Sequence, residues 1–136
     1  MYLLDTNILS ELVKKQPNHN LLQHLQSSPS QSLFTSCICV MELRFGSALR
    51  EDFESFWLNI EKEIISRVNV MPLGPEEVLI AGDILADFQK KGQSIGIEDV
   101  LIASTALSHK FIVVTANVRY FSNINRLTVE NWIAPY

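Results

Sequence analysis

With 136 residues, 47% of them hydrophobic and 19% charged, the chain has the composition of an ordinary globule and not of a disordered or low-complexity segment. No apolar run approaches the ~20 residues of a membrane span and no basic-then-apolar leader opens it, which points to a cytoplasmic protein with one domain over residues 1–136. The formal net charge of −4 leaves no general basic footprint, so a nucleic-acid partner would require a local cationic patch or a bound cation.

Tyr2-Leu3-Leu4 is a short apolar run that ends at Asp5-Thr6-Asn7. It reads as a central strand that delivers a carboxylate, a hydroxyl and an amide to the edge of a sheet. Ile8 to Val13 has helical apolar spacing, capped by Thr6 or Asn7 and ended by Pro17. Asn18 or Asn20 opens a second short helix through Leu25, and Ser27 to Ser30 is a loop.

Leu33 to Ser36 is strand-like, and from Cys37 the period becomes 3.6, with Ile38, Met41, Phe45 and Leu49 on one stripe and Glu42 beside it. Phe53, Trp57, Ile60 and Ile64 form a second amphipathic stripe. Cys37 and Cys39 are two apart at a helix start, where their side chains diverge, so they read as small buried residues and not as a disulfide or a zinc site.

Arg67 to Met71 reads as a strand. Gly74-Pro75-Glu76-Glu77 is a helix start with proline at the first position and acids in the first turn. Val78, Gly82, Leu85 and Phe88 form its expected buried stripe, with Gly82 allowing close packing, and Lys90-Lys91-Gly92 closes it. Glu98-Asp99 opens a helix through His109. Phe111 to Thr115 is an unbroken, largely β-branched run, as in a strand buried on both faces of a parallel sheet. A short turn or helix through Phe121 and a last strand at Leu127 to Val129 complete the order β-α-α-β-α-α-β-α-α-β-α-β. That alternation predicts an α/β protein, a three-layer α/β/α arrangement around a parallel sheet of about five short strands.

In such sheets ligands bind beyond the carboxyl ends of the strands, where strand order reverses. Asp5, Glu42, Asp99, Thr115 and Asn117 all fall at such stations. Singly each has a plain alternative: Asp5 as a helix cap, Glu42 as a solvated helix residue, Asp99 or Glu98 as complements to a helix dipole, Asn117 as a turn residue. Together, three converging acids would repel one another unless protons or a cation relieved them. Carboxylate oxygens with no Cys or His in the pattern suit Mg²⁺, or Mn²⁺.

Leu4-Asp5-Thr6-Asn7, Val40-Met41-Glu42-Leu43-Arg44-Phe45-Gly46, Ile95 to Ala103, Val114 to Phe121 and the tail Leu127 to Trp132 together resemble the PIN-domain family, and within it the VapC-like toxins of toxin–antitoxin pairs. The resemblance implies a Mg²⁺-dependent endoribonuclease with Asp5, Glu42 and Asp99 as catalytic and metal-site acids. Thr6, Asn7, Ser36, Thr115 and Asn117 match positions that support such a site. Arg44, Lys90, Lys91 and Arg119 are then candidates for holding the RNA backbone. A cognate antitoxin that covers the acidic pocket, and a homodimer, are the implied partners, with no membrane involved. One departure stands out: where the family often has a fourth acid before the phenylalanine, this chain has Tyr120, and Asn117 is an amide. An inactive PIN-like module that only binds RNA or protein is the alternative this departure motivates. A receiver-like phospho-acceptor domain is a further one, although Asp5 lacks a paired acid and no lysine follows Arg119.

Overall fold

The structure is a computed structural model and describes residues 1–133. Tyr2–Leu4 forms β1, followed by α1 (Thr6–Glu11) and α2 (His19–Gln26); Leu33–Ser36 forms β2, followed by α3 (Cys37–Ala48) and α4 (Phe53–Glu63). Asn69–Met71 forms β3, followed by α5 (Pro75–Lys90) and α6 (Ile97–His109); Ile112–Val114 forms β4, then α7 (Val118–Phe121) and β5 (Val129–Glu130). The sheet has the order β3-β2-β1-β4-β5 and every pairing is parallel. The element order is the one the sequence predicts, and right-handed crossovers place the helices before and after β3 on opposite faces. The result is the expected three-layer α/β/α arrangement around a five-stranded parallel sheet.

β1 lies between β2 and β4 because Leu3 and Leu4 bury completely, as do their neighbours Val113 and Val114. Strand order reverses at the β1–β4 pair: the chain moves from β1 outward to β3, then crosses back to β4. Asp5, directly after β1, and Thr115, directly after β4, therefore share one edge.

Local chemistry explains the helix ends. The Asn18 side chain accepts a hydrogen bond from the Leu21 amide and caps α2. The Ser36 hydroxyl accepts from the Ile38 amide and caps α3. Gly74 precedes Pro75 at the start of α5, and Gly92, beyond its end, takes a positive φ of 68°, which glycine adopts at no steric cost.

Two helical registers differ from the sequence reading. On α3 the buried residues are Cys39, Leu43 and Ser47, whereas Met41, Phe45 and Leu49 are exposed, Phe45 by 67%. On α5 the buried residues are Glu77, Ala81, Ile84 and Phe88, while Val78 and Leu85 are exposed. On α3 the inner face is Leu43 flanked by the small Cys39 and Ser47, and on α5 it is Ile84 and Phe88 with Ala81 and Glu77, so Phe88 is buried as expected while the rest of each expected stripe turns outward. Gly82 lies on that outer face, where an added Cβ would meet nothing within 4 Å, so it serves no close helix contact. Cys39 is buried as expected, Cys37 only partly, and both are free thiols.

This register has a direct consequence for stability. Leu43→Ala should cost about 2–5 kcal/mol through transfer and cavity terms, whereas Leu49→Ala, at 73% exposure, should stay within about 0.5 kcal/mol. Urea denaturation of the two variants checks it; equal losses would place Leu49 inside.

Candidate active site

The Asp5 carboxylate is only 4% exposed, yet both of its oxygens are engaged. Oδ1 accepts from the Thr6 backbone amide at 2.7 Å, capping α1. Oδ2 accepts from the Thr115 hydroxyl at 2.8 Å and from the Asn7 side-chain amide at 3.0 Å. The Asn7 carbonyl oxygen in turn accepts from the Ala116 backbone amide at 2.9 Å, and the Asn117 backbone amide donates to Thr115 Oγ1 at 3.0 Å. Asp5-Thr6-Asn7 thus clamps the end of β1 to the loop after β4. The helix-cap alternative for Asp5 is realised, in a side chain that also stands beside Glu42.

Thr6 reaches the opposite way, its hydroxyl donating to Glu42 Oε1 at 2.7 Å. Glu42 stands on α3 one position before the buried Leu43, so its carboxylate comes to the mouth of the cleft while α3 packs inward. Asp99 lies in the first turn of α6, which Gly96 begins.

The acids are electrostatically coupled. Burial raises the Asp5 carboxyl above its usual range, against the hydrogen bonds from Thr115, Thr6 and Asn7. Glu42 is raised by burial, pulled back by Thr6, and raised again by the charges of Asp5 and Glu98. Asp99 is pushed up to about 6, first by burial and then by Asp5, Glu42 and Glu98. Among the described residues no ion pair involves Asp5, Glu42 or Asp99. A negative cluster with no protein cation to relieve it is a fit for a divalent metal ion.

One residue in the cluster departs from the sequence reading. Cys39, fully buried on the first turns of α3, brings its sulfur within 4.8 Å of carboxylate oxygens of Asp5 and Glu42. Burial and the Asp5 charge push its thiol up to about 11, so near neutral pH it stays protonated and the donors on offer are oxygens. Asp99 stands outside that group of three and is linked to it by charge. Glu98 is a further acid whose charge reaches both Glu42 and Asp99. Its position beside Asp99 is visible in the sequence, but only the fold shows that it bears on the cluster.

The remaining predicted residues fall in varied places. Ser36 is fully buried and spends its hydroxyl on capping α3, the helix that carries Glu42. The Asn117 and Tyr120 side chains are exposed on α7 and its cap. The Arg44 guanidinium lies over the Phe53 ring at 4.4 Å and the Trp57 ring at 4.9 Å, bridging α3 and α4. Lys91 pairs with Asp87 at 2.9 Å; Lys90 and Arg119 are exposed. Cations that sequence reasoning passed over lie closer: Lys14, Lys15 and Arg50 share with Thr6 and Glu42 a cleft of about 550 Å³ floored by Val13, Leu43, Phe56 and Ile60.

A family model for the PIN domain matches residues 2–127. Ribonuclease VapC2 of Haemophilus influenzae is 31% identical over 132 residues, covering 97% of this chain and 98% of that protein. The tRNA(fMet)-specific endonuclease VapC of Salmonella typhimurium is 30% identical over 131 residues, covering 96% and 97%. Among solved structures, VapBC2 from Rickettsia felis bound to a DNA fragment from its promoter superposes with a TM-score of 0.88 at 27% identity, over 96% of this chain and 98% of that one.

The raised carboxyl of Asp99 sets a pH dependence. Between its ordinary value near 3.8 and about 6 the folded state holds a proton that the unfolded state has lost, so this contribution to stability falls as pH rises through that window. In chelator, Asp99→Asn should therefore raise the melting temperature at pH 7 and leave it nearly unchanged at pH 4. Thermal melts at both values test this, and a pH-independent difference would contradict it.

Proposed function

The chain belongs to the PIN-domain family, and from that premise we propose that Asp5, Glu42 and Asp99 carry out metal-dependent cleavage of RNA. Its class of activity is that of its VapC relatives, an endoribonuclease acting as the toxin of a toxin–antitoxin pair. The observation that carries the residue assignment is the uncompensated acid cluster at the β1–β4 reversal, with Thr6 joining Asp5 to Glu42.

In this reading Asp5 and Asp99 hold a divalent cation, directly or through water, and Mg²⁺ is proposed, with Mn²⁺ as substitute, because the donors are oxygens. When bound, such an ion supplies a nucleophilic water and neutralises charge that develops on a phosphodiester. The protein's own groups do the rest. Thr115 and Asn7 fix the Asp5 carboxylate so that its oxygens are presented without reorganisation. Glu42, tied at Oε1 by Thr6, keeps Oε2 to orient the attacking water or take its proton. Its raised proton affinity suits that role. Lys14, Lys15 and Arg50 supply the local positive charge that a net-negative chain needs to hold RNA beside the acids.

The same cleft, apolar in its floor and cationic on its rim, is where a segment of the cognate antitoxin would cover the acids. The outward stripes Met41-Phe45-Leu49 and Val78-Leu79-Leu85 are proposed as the homodimer surface. Among the described residues no helix is long and apolar enough to cross a membrane, and a cytoplasmic location is proposed with the rest.

Purified protein should cleave RNA with Mg²⁺ and lose cleavage with chelator. Asp5→Asn and Asp99→Asn should each lower the rate on the order of 10²-fold or more. Equal cleavage by wild type and both variants would mark a contaminant. A folded, metal-loaded wild type without cleavage would favour the binding-only alternative.

A further inference from the structure

At the opposite edge of the sheet, where β4 and β5 begin, lies a second cleft of about 540 Å³. Lys110 and Arg126 line it, with Asp83, Asn125 and Thr128, against a wall that includes Leu107. It is separated from the acids by most of the length of α6: Asp99 is in the first turn of that helix and Lys110 directly follows its last residue, about 16 Å along the axis at 1.5 Å per residue.

We propose that this cleft is a site for the phosphate monoester end of a ribonucleotide. The first observation is conformational. Lys110 (φ 60°) and Arg126 (φ 69°) are the only non-glycine positive-φ residues among the described ones. Both are cations, and both line the same cleft. Lys110 follows α6 in a position that usually takes glycine or asparagine: the Phe111 amide donates to the Ala106 carbonyl at 2.8 Å and the Lys110 amide to that of Leu107 at 3.3 Å. A left-handed lysine and a left-handed arginine are each less stable than glycine would be. Such strain, doubled at one cleft, marks a functional requirement for the side chains.

The second observation is charge. Neither cation takes part in an ion pair among the described residues, whereas Lys14, Arg50, Arg67 and Lys91 each do. Of the acids nearby, Asp87 is held by Lys91 at 2.9 Å, which leaves Asp83 as the carboxylate of the cleft. Two unpaired cations match the charge of a phosphate monoester, close to −2 near neutral pH, better than the single charge of a backbone phosphodiester. Asp83 repels that phosphate and therefore takes the sugar end, accepting from ribose hydroxyls as acids do in nucleotide-binding folds. Ile80, Leu107 and Ile112 leave an apolar wall for the base. The volume suits one nucleotide. The source is either a free mononucleotide or the 5′-phosphorylated end of an RNA strand, since both present this chemistry.

Isothermal titration of the full chain in chelator tests the proposal independently of catalysis. Adenosine 5′-monophosphate should bind, the 2′-deoxy analogue several-fold more weakly, and adenosine not at all. Lys110→Gly and Arg126→Gly should each weaken binding at least tenfold while the melting temperature stays level or rises, because glycine relaxes the left-handed backbone. Asp83→Asn should erase the preference for ribose. A short RNA that binds only with a 5′-phosphate assigns the site to strand ends; monophosphate binding without oligonucleotide binding assigns it to free nucleotide. No binding of any monophosphate, or binding that survives both glycine variants and is lost in Asp5→Asn, would overturn the assignment. Failure of cleavage in the ribonuclease assay leaves this titration unaffected, so the two readings fail separately.

Discussion

The molecule depends on burying one carboxylate, that of Asp5, beside the middle strand of a parallel sheet with both of its oxygens hydrogen-bonded. Water is replaced around it by three donors: the Thr6 amide, the Asn7 side chain and the Thr115 hydroxyl. The first two come from the same turn, and the third comes from the residue directly after β4, 110 positions away in sequence. The hydrogen bonds therefore do two jobs. They reduce the cost of burial, and they register β1 against β4 at the edge where chemistry is required. Glu42 and Asp99 stand around that carboxylate, and each is harder to ionise because of burial first and the neighbouring acids, Asp5 among them, second. Local structure and reactivity here have the same origin: a polar triplet short enough to cap a helix, end a strand and present an oxygen in consecutive residues.

That arrangement conflicts with stability and agrees with function. Like charges gathered at one edge favour protonation or a cation, and among the described residues no lysine or arginine forms an ion pair with them. The buried thiol of Cys39 is the neutral member of the group, a small side chain that sits beside Asp5 and Glu42 without adding charge. Replacing the acids with matched apolar groups would relieve the repulsion and remove the site, which is the usual relation between a strained centre and the scaffold that holds it.

Much of this was legible from residues alone. The β1 run, the element order, the parallel sheet and the stations of Asp5, Glu42, Asp99 and Thr115 follow from strand-like apolar runs and helix starts, and from the rule that parallel sheets present their carboxyl ends to ligands. The inner face of α3 was not. Periodicity finds an apolar stripe, but Ile38-Met41-Phe45-Leu49 is a better stripe on paper than Cys39-Leu43-Ser47, which is the buried one. Close packing selected the smaller side chains, and no count of hydrophobicity reports that. On α5 the buried face is shifted as well, with Ile84 and Phe88 inside beside Glu77, whose carboxylate lies 3.4 Å from His109 Nε2 at the end of α6. Cys39 and Glu98 joined the acid cluster through tertiary proximity, and the cleft at Lys110 and Arg126 depends on backbone angles that residue identities do not announce.

The placement of β1 at the sheet's centre has a consequence for synthesis. Its partner on one side, β2, follows within about 30 residues, but β4, which completes the other side, is more than 100 residues later. A growing chain leaves the ribosome from its first residues onward, at roughly 5–20 residues per second. For several seconds β1 therefore has one neighbour and an open flank, and Asp5 lacks its Thr115 partner. The acids can be brought into register only after residue 115 has emerged. Non-local pairing of this kind is slow to form. A nascent chain thus lacks the assembled acid cluster for nearly all of its translation, and whatever is to meet the finished cluster has that interval in which to be made.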